Sequence, residues 1–209
     1  MHKLLLLVTV FCSPLPGITQ HYSPIKNPDT FKAAFQQASA GISSLRSEFT
    51  QEKQLSLLSE TLRSTGVFYF KKENKVRLEY QQPFQYLMII QGAQMVIKDE
   101  QHTSKIDVQS SRMLQQVNRI MLDCVQGTVF SNPDFRVTIF ESPEDYKLQM
   151  IPQTKGLKDF FDSIDIYISR EDFSVKRIQM NETGGDYTLI SFKNKQLNET
   201  LPDELFAVQ

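Results

Sequence analysis

The chain has 209 residues, enough for one sizeable core, and its 23 basic and 24 acidic residues leave a formal net charge of −1. That balance gives no broad electrostatic pull on nucleic acid or on an anionic membrane. Phe and Tyr number 15 and 7 while Trp is absent, so β-prone aromatic content says more than charge.

Lys3 and the apolar run Leu4 to Phe11 precede a helix-breaking stretch, Ser13-Pro14-Leu15-Pro16-Gly17. An eight-residue run at about 1.5 Å per residue falls far short of a bilayer core of about 30 Å. The pattern is that of a cleavable export signal over residues 1–20, leaving an exported mature domain over 21–209. Cys12 follows the apolar run, where a lipid anchor attaches in some exported proteins. Bulky Phe11 stands before it where a small residue is wanted, so a cleaved signal is the expectation. Cys124 is expected as a small buried hydrophobe.

From Asn27 the pattern is helical: Asn27 is placed to N-cap, Pro28 suits the first position, and Asp29 complements the positive end of the dipole. Phe31, Phe35, Ala38, Ile42 and Leu45 follow as one apolar stripe. Period-2 alternation begins near Leu45 and runs through Leu55. Ser64 to Pro83 then reads as a hairpin. Val67 to Phe70 form one arm, Lys71 to Lys75 the polar tip, and Val76, Leu78 and Tyr80 alternate with Arg77 and Glu79 on the other arm. Further strands are predicted at 85–91, 94–98 and 104–109. Ser110 to Gln126 is a helix, with Met113, Val117, Ile120, Met121, Cys124 and Val125 on one face and Gly127 as its C-cap. Strands resume at 135–141, 146–151, 163–169, 174–181 and 187–193.

These elements predict a mainly β, α+β fold of about 11 strands and two helices in one antiparallel meander. So long a sheet curls. Curling gives a single strongly curved, unclosed half-barrel whose apolar residues face inward, with helices as a lid over an apolar cavity. Phe68, Phe70, Leu78, Tyr80, Met88 and Ile90 are the predicted wall; Met113, Val117, Ile120 and Met121 are the predicted lid face. Tip residue Lys72 is the predicted lid contact.

No catalytic constellation is visible. His102 lies alone in a polar loop, and HExxH, C-x-x-C, G-x-S-x-G and phosphate-loop patterns are missing. Asp159, Asp162 and Asp165 lack the glycine and terminal glutamate of a calcium loop. No enzyme activity, metal or cofactor is expected.

The order and spacing of several short motifs resemble the LolA family of periplasmic outer-membrane lipoprotein carriers. They are Phe49-Thr50-Gln51-Glu52-Lys53; Ser64-x-Gly66-x-Phe68-x-Phe70-Lys71-Lys72; Leu78-Glu79-Tyr80-x-x-Pro83; Phe161-x-x-Ile164; Gly185-Asp186-Tyr187-Thr188 leading to Phe192-Lys193-Asn194; and Asn198-x-x-Leu201-Pro202-Asp203-x-x-Phe206. The resemblance implies a monomeric shuttle in the periplasm for the acyl chains of lipoproteins. It would load from an inner-membrane lipoprotein-releasing ABC transporter and deliver to an outer-membrane receptor. It also implies a lid-holding residue at the hairpin tip, an arginine in the family, which falls by spacing on Lys72. Two alternatives accompany this reading: a membrane-anchored acceptor similar to the LolB type, which requires lipidated Cys12, and a carrier of another acylated lipid.

Overall fold

A computed structural model describes residues 21–57, 60–110 and 112–207, with side chains described throughout except at 112–114. The predicted signal and Cys12 therefore lie outside the described residues. The strands are β1 (Ser23–Pro24), β2 (Ser44–Leu55), β3 (Glu60–Lys71), β4 (Lys75–Gln82), β5 (Tyr86–Gln91), β6 (Gln94–Lys98), β7 (Thr103–Asp107), β8 (Phe135–Glu141), β9 (Asp145–Pro152), β10 (Phe161–Ser169), β11 (Val175–Glu182) and β12 (Tyr187–Leu197). The α-helices are α1 (Pro28–Ala40), α2 (Arg112–Gln126) and the single turn α3 (Lys155–Lys158).

Among the described residues, twelve strands form one antiparallel sheet in the order β1-β8-β9-β10-β11-β12-β2-β3-β4-β5-β6-β7. The edges β7 and β1 do not pair, so the half-barrel stays open. The expected meander is in fact two, β2–β7 and β8–β12, fused through β12 and β2. That pairing joins residues more than 130 positions apart, such as Leu189 and Glu52, and local alternation carries no sign of it. The two-residue β1, added at the edge of β8, also went unforeseen.

This order fixes the path of α2. Strand β7 is one edge of the sheet and β8 lies beside the other. The segment between them must cross from edge to edge, and it crosses the concave face. Two glycines serve the packing. A Cβ on Gly66 would lie 2.1 Å from the Glu79 carbonyl oxygen and 2.8 Å from the Phe49 ring. Gly127 ends α2 at φ 74, and a Cβ there would lie 2.9 Å from the Ser39 side chain, so α2 and α1 meet closely at that point. Asn27 does stand at the N-cap of α1, but its side chain makes no capping bond.

The concave face buries two apolar clusters. One gathers Phe31 and Phe35 of α1 with Ile139, Leu148, Met150, Ile164, Ile166 and Ile168 of β8–β10. The other gathers Phe49, Phe68, Phe70, Val76, Leu78, Ile90 and Met95 of β2–β6. On the convex face Val67, Ile89 and Val96 are also buried. The C-terminal segment, with a 3-10 turn at Asp203–Phe206, packs on β4 and β5 there. Its carbonyls accept from Arg77 (Leu205 O, 3.0 Å) and Lys71 (Leu201 O, 2.7 Å).

Candidate functional site

Residues of equal parity on adjacent strands share a face when the register is even. Register aligns Phe68 with Leu78 and Leu78 with Met88, then Phe70 with Val76 and Val76 with Ile90. The structure thus brings Phe68, Phe70, Leu78 and Ile90 into one buried cluster, with Tyr80 and Met88 packed against it. The Tyr80 hydroxyl donates to Gln51 Oε1 at 2.9 Å, and burial pushes its pKa up to about 12.

Helix α2 straddles the two clusters. Met121, Leu122 and Val125 pack toward the β2–β6 cluster. Ile120, Cys124 and Val117 belong to the β8–β11 side. The four predicted lid residues are therefore not equivalent: Met121 meets the predicted wall, Val117 and Ile120 face the other half, and the Met113 side chain lies outside the described residues. Between the clusters remains about 80 Å³ of free space, lined by Phe68, Leu78, Met121, Val125, Ile178 and Phe192 among others. Ligand pockets run to roughly 300–1,000 Å³, so the site as folded is filled by its own helix. The Cys124 thiol lines the same space and burial raises its pKa, which keeps it protonated and inert.

The hairpin tip touches both helices at their C-terminal ends. The Lys72 ammonium donates to the Ala40 carbonyl at 3.3 Å, and its backbone N–H to Ser43 O at 2.8 Å. A cation there sits at the negative end of the α1 dipole. Asn74 Oδ1 accepts from Gln126 Nε2 of α2 at 2.9 Å. Lys72 thus contacts α1, and the tip reaches α2 through Asn74, a residue the sequence reading left in a plain turn. Also missed were the wall residues supplied by the second meander, among them Val175, Ile178, Ile190 and Phe192. Their alternation was legible; their placement opposite the hairpin was not.

Among the described residues, no group of three or more His, Cys, Asp or Glu is placed to hold a metal ion. No described helix is long and apolar enough to cross a membrane.

An open antiparallel half-barrel whose apolar concave face is occupied by a crossing helix defines a container fold. The family model of the outer membrane lipoprotein carrier protein LolA matches residues 40–209, and the chain belongs to that family. No curated protein matches its sequence. Among solved structures, an uncharacterized conserved protein from Thermus thermophilus aligns with a TM-score of 0.53 at 9% identity, covering 87% of this chain and 94% of that one. A LolA superfamily protein from Nitrosomonas europaea aligns at 0.47 and 10% identity, covering 85% and 97%. The Mycobacterium tuberculosis lipoprotein LppX aligns at 0.40 and 14% identity, covering 83% and 98%. At 9% identity the likeness to the Thermus thermophilus protein is one of fold.

Proposed function

We propose that this protein is a non-enzymatic periplasmic carrier. It holds the acyl chains of lipoproteins against the concave face, receives them from an inner-membrane lipoprotein-releasing ABC transporter, and passes them to an outer-membrane receptor. The observation that supports this reading most strongly is the apolar face filled by α2. An acyl chain of 16 carbons gains at most about 12 kcal/mol on full burial, at about 0.8 kcal/mol per CH₂. Binding that tight would prevent release. Withdrawing Met121, Leu122 and Val125 from the cluster costs roughly 1.5–3 kcal/mol each. Net affinity is the difference between two burials of similar size, which suits loading and unloading alike. The flexible thioether of Met121 repacks at little cost on either surface.

In this reading α2 is a lid, held closed by its own packing and by Asn74 at the hairpin tip, while Lys72 of the same tip holds the end of α1. The wall is Phe68, Phe70, Leu78, Tyr80, Met88 and Ile90, joined by Ile178, Ile190 and Phe192 from the second meander. Binding of a diacylglyceryl-modified peptide to wild type and to Met121→Glu tests it. The substitution puts a carboxylate in the acyl path, and affinity is expected to fall at least about tenfold, with the circular dichroism spectrum retained. Unchanged affinity would remove the cavity as the acyl site.

A further inference from the structure

Strand β12 runs regularly against β2 as far as the pairs Phe192 with Phe49 and Lys193 with Glu48. The next pair is Gln196 with Arg46, so three residues of one strand span two of the other. This is a β-bulge, and Asn194 within it takes φ 51, a left-handed conformation that Asn tolerates better than most residues. Strict alternation after Ile190 and Phe192 would turn Asn194 inward. The bulge shifts the phase by one. Lys195 and Leu197 face the cavity instead, with Leu197 opposite inward-facing Leu45. Bulges commonly re-aim a side chain at a functional position. This one is satisfied internally: Ser47 Oγ donates to the Lys193 carbonyl at 2.8 Å, and Asn194 Nδ2 donates to Glu48 at 2.8 Å.

Its consequence is a cation on an apolar surface. Among the described residues, those lining the cavity are apolar apart from three serines and Lys195, the one charged member. Lys195 is half-buried between exposed Asn194 and Gln196, which puts it at the edge where the cavity meets solvent. Its ammonium donates to Ser174 Oγ. That hydroxyl in turn donates to Asp172 Oδ1 at 2.7 Å. An ammonium has three donors, and among the described residues Lys195 makes one hydrogen bond and has no carboxylate within 4.0 Å. The neighbouring cations are differently placed, since Lys176 and Arg177 both lie against buried Asp145, at 3.5 and 3.6 Å. Burial lowers the Lys195 pKa, Asp172 opposing and Lys176 adding to that shift. The charge is thus under-compensated where it stands.

We propose that the cavity accepts a long-chain carboxylic acid, its hydrocarbon along the wall and its carboxylate on the Lys195 ammonium at the mouth. The proposal rests on the acyl-binding reading above and adds to it a head-group preference. A single cation with two spare N–H groups matches the two oxygens and single charge of a carboxylate. A doubly charged phosphate would need a second cation, and Lys176, whose charge acts on Lys195, is held by Asp145.

The test measures binding of laurate and of methyl laurate to the exported protein by isothermal titration at pH 7.5. Both ligands carry the same chain; only one carries the charge. Wild type is expected to bind laurate at least about tenfold more tightly than the ester, since a hydrogen bond to a charged group is worth that ratio. In Lys195→Met, which keeps the apolar stem, the ratio is expected to fall to near one. Lys195→Arg is expected to retain it, which separates loss of charge from damage to the fold. Equal binding of acid and ester by wild type, or a ratio unchanged in Lys195→Met, overturns the head-group site and leaves acyl binding standing. Failure of wild type to bind either ligand overturns both readings together.

Discussion

The two halves of the concave face differ in how completely they are closed. Among the described residues, the β8–β11 half with α1 buries fifteen hydrophobic side chains, two of them (Ile120 and Cys124) from α2, and leaves nine partly buried. The β2–β7 half buries eight and leaves eleven partly buried. In the first, Leu148, Met150, Ile166 and Ile168 have no exposed surface, and α1 supplies stacked Phe31 and Phe35 rings 6.0 Å apart. Among the described residues, the second is closed from above by α2, through Met121, Leu122 and Val125, with Ile42 beside them. One half is a finished core; the other is a core whose last layer can be withdrawn. Helix α2 also lends Ile120 and Cys124 to the first half, but most of that core comes from α1 and the strands, so in the proposed carrier the fold is expected to survive when the second half opens.

Truncations on the two sides measure that division. Leu148→Ala leaves a void in close-packed surroundings and is expected to lower unfolding stability by about 3–5 kcal/mol. Leu78→Ala enlarges a space already present, where fewer contacts are lost, and is expected to lower it by about 2 kcal/mol. Urea denaturation of both variants reads the difference, and equal losses would break the comparison. Gly127→Ala acts on the joint between the halves. The substitution forces a left-handed residue and a 2.9 Å clash with Ser39 of α1, with an expected cost of about 1–3 kcal/mol. Because the clash separates α2 from α1, it should also speed uptake of a fluorescent acyl probe in stopped flow.

The smallest effect lies on the convex face. Asp203 ties the C-terminal segment to Lys71 and Lys75, both at 2.9 Å, and the two side-chain bonds lower its pKa from 3.8 to about 2. A lowered carboxylate pKa stabilises the fold above the unfolded value, and that contribution is lost as pH falls through the folded one. Asp203 is exposed, so salt screens the effect. Amide exchange in residues 201–207 is expected to accelerate between about pH 4 and pH 2 in wild type. In Asp203→Asn it should already be fast at pH 4, with exchange in β8–β10 unchanged in both proteins.

Much of this architecture was readable because a half-buried antiparallel sheet writes its geometry into period 2. Spacing alone pairs Phe68 with Phe70, Leu78 with Tyr80 and Met88 with Ile90 within each strand; that the three pairs share one inward face comes from the register. What stayed hidden depends on long-range pairing or on broken phase. The β12–β2 seam that brings Ile190 and Phe192 beside the hairpin has no local signature. Lys195 was missed because alternation places Asn194 inward, and a bulge appears only once both strands are aligned. Asn194 was the available hint, as a residue suited to left-handed backbone. Val67, Ile89 and Val96 were another. They are apolar where a bare outer face would be polar, and the C-terminal segment that accounts for them was not assigned to that face.

In the proposed carrier, acyl binding requires α2 to leave the concave face. Gln126 of α2 and Asn74 of the hairpin tip touch at 2.9 Å, so cysteines at both positions can be joined by a short bifunctional methanethiosulfonate that dithiothreitol removes. Buried Cys124, its pKa raised by desolvation, should not compete. In Asn74→Cys/Gln126→Cys protein lacking the predicted signal, the account expects the cross-linked form to bind a diacylglyceryl-modified peptide at least about tenfold more weakly, with full recovery after reduction. Equal affinity before and after reduction would contradict it, because the ligand would then enter with the helix still in place.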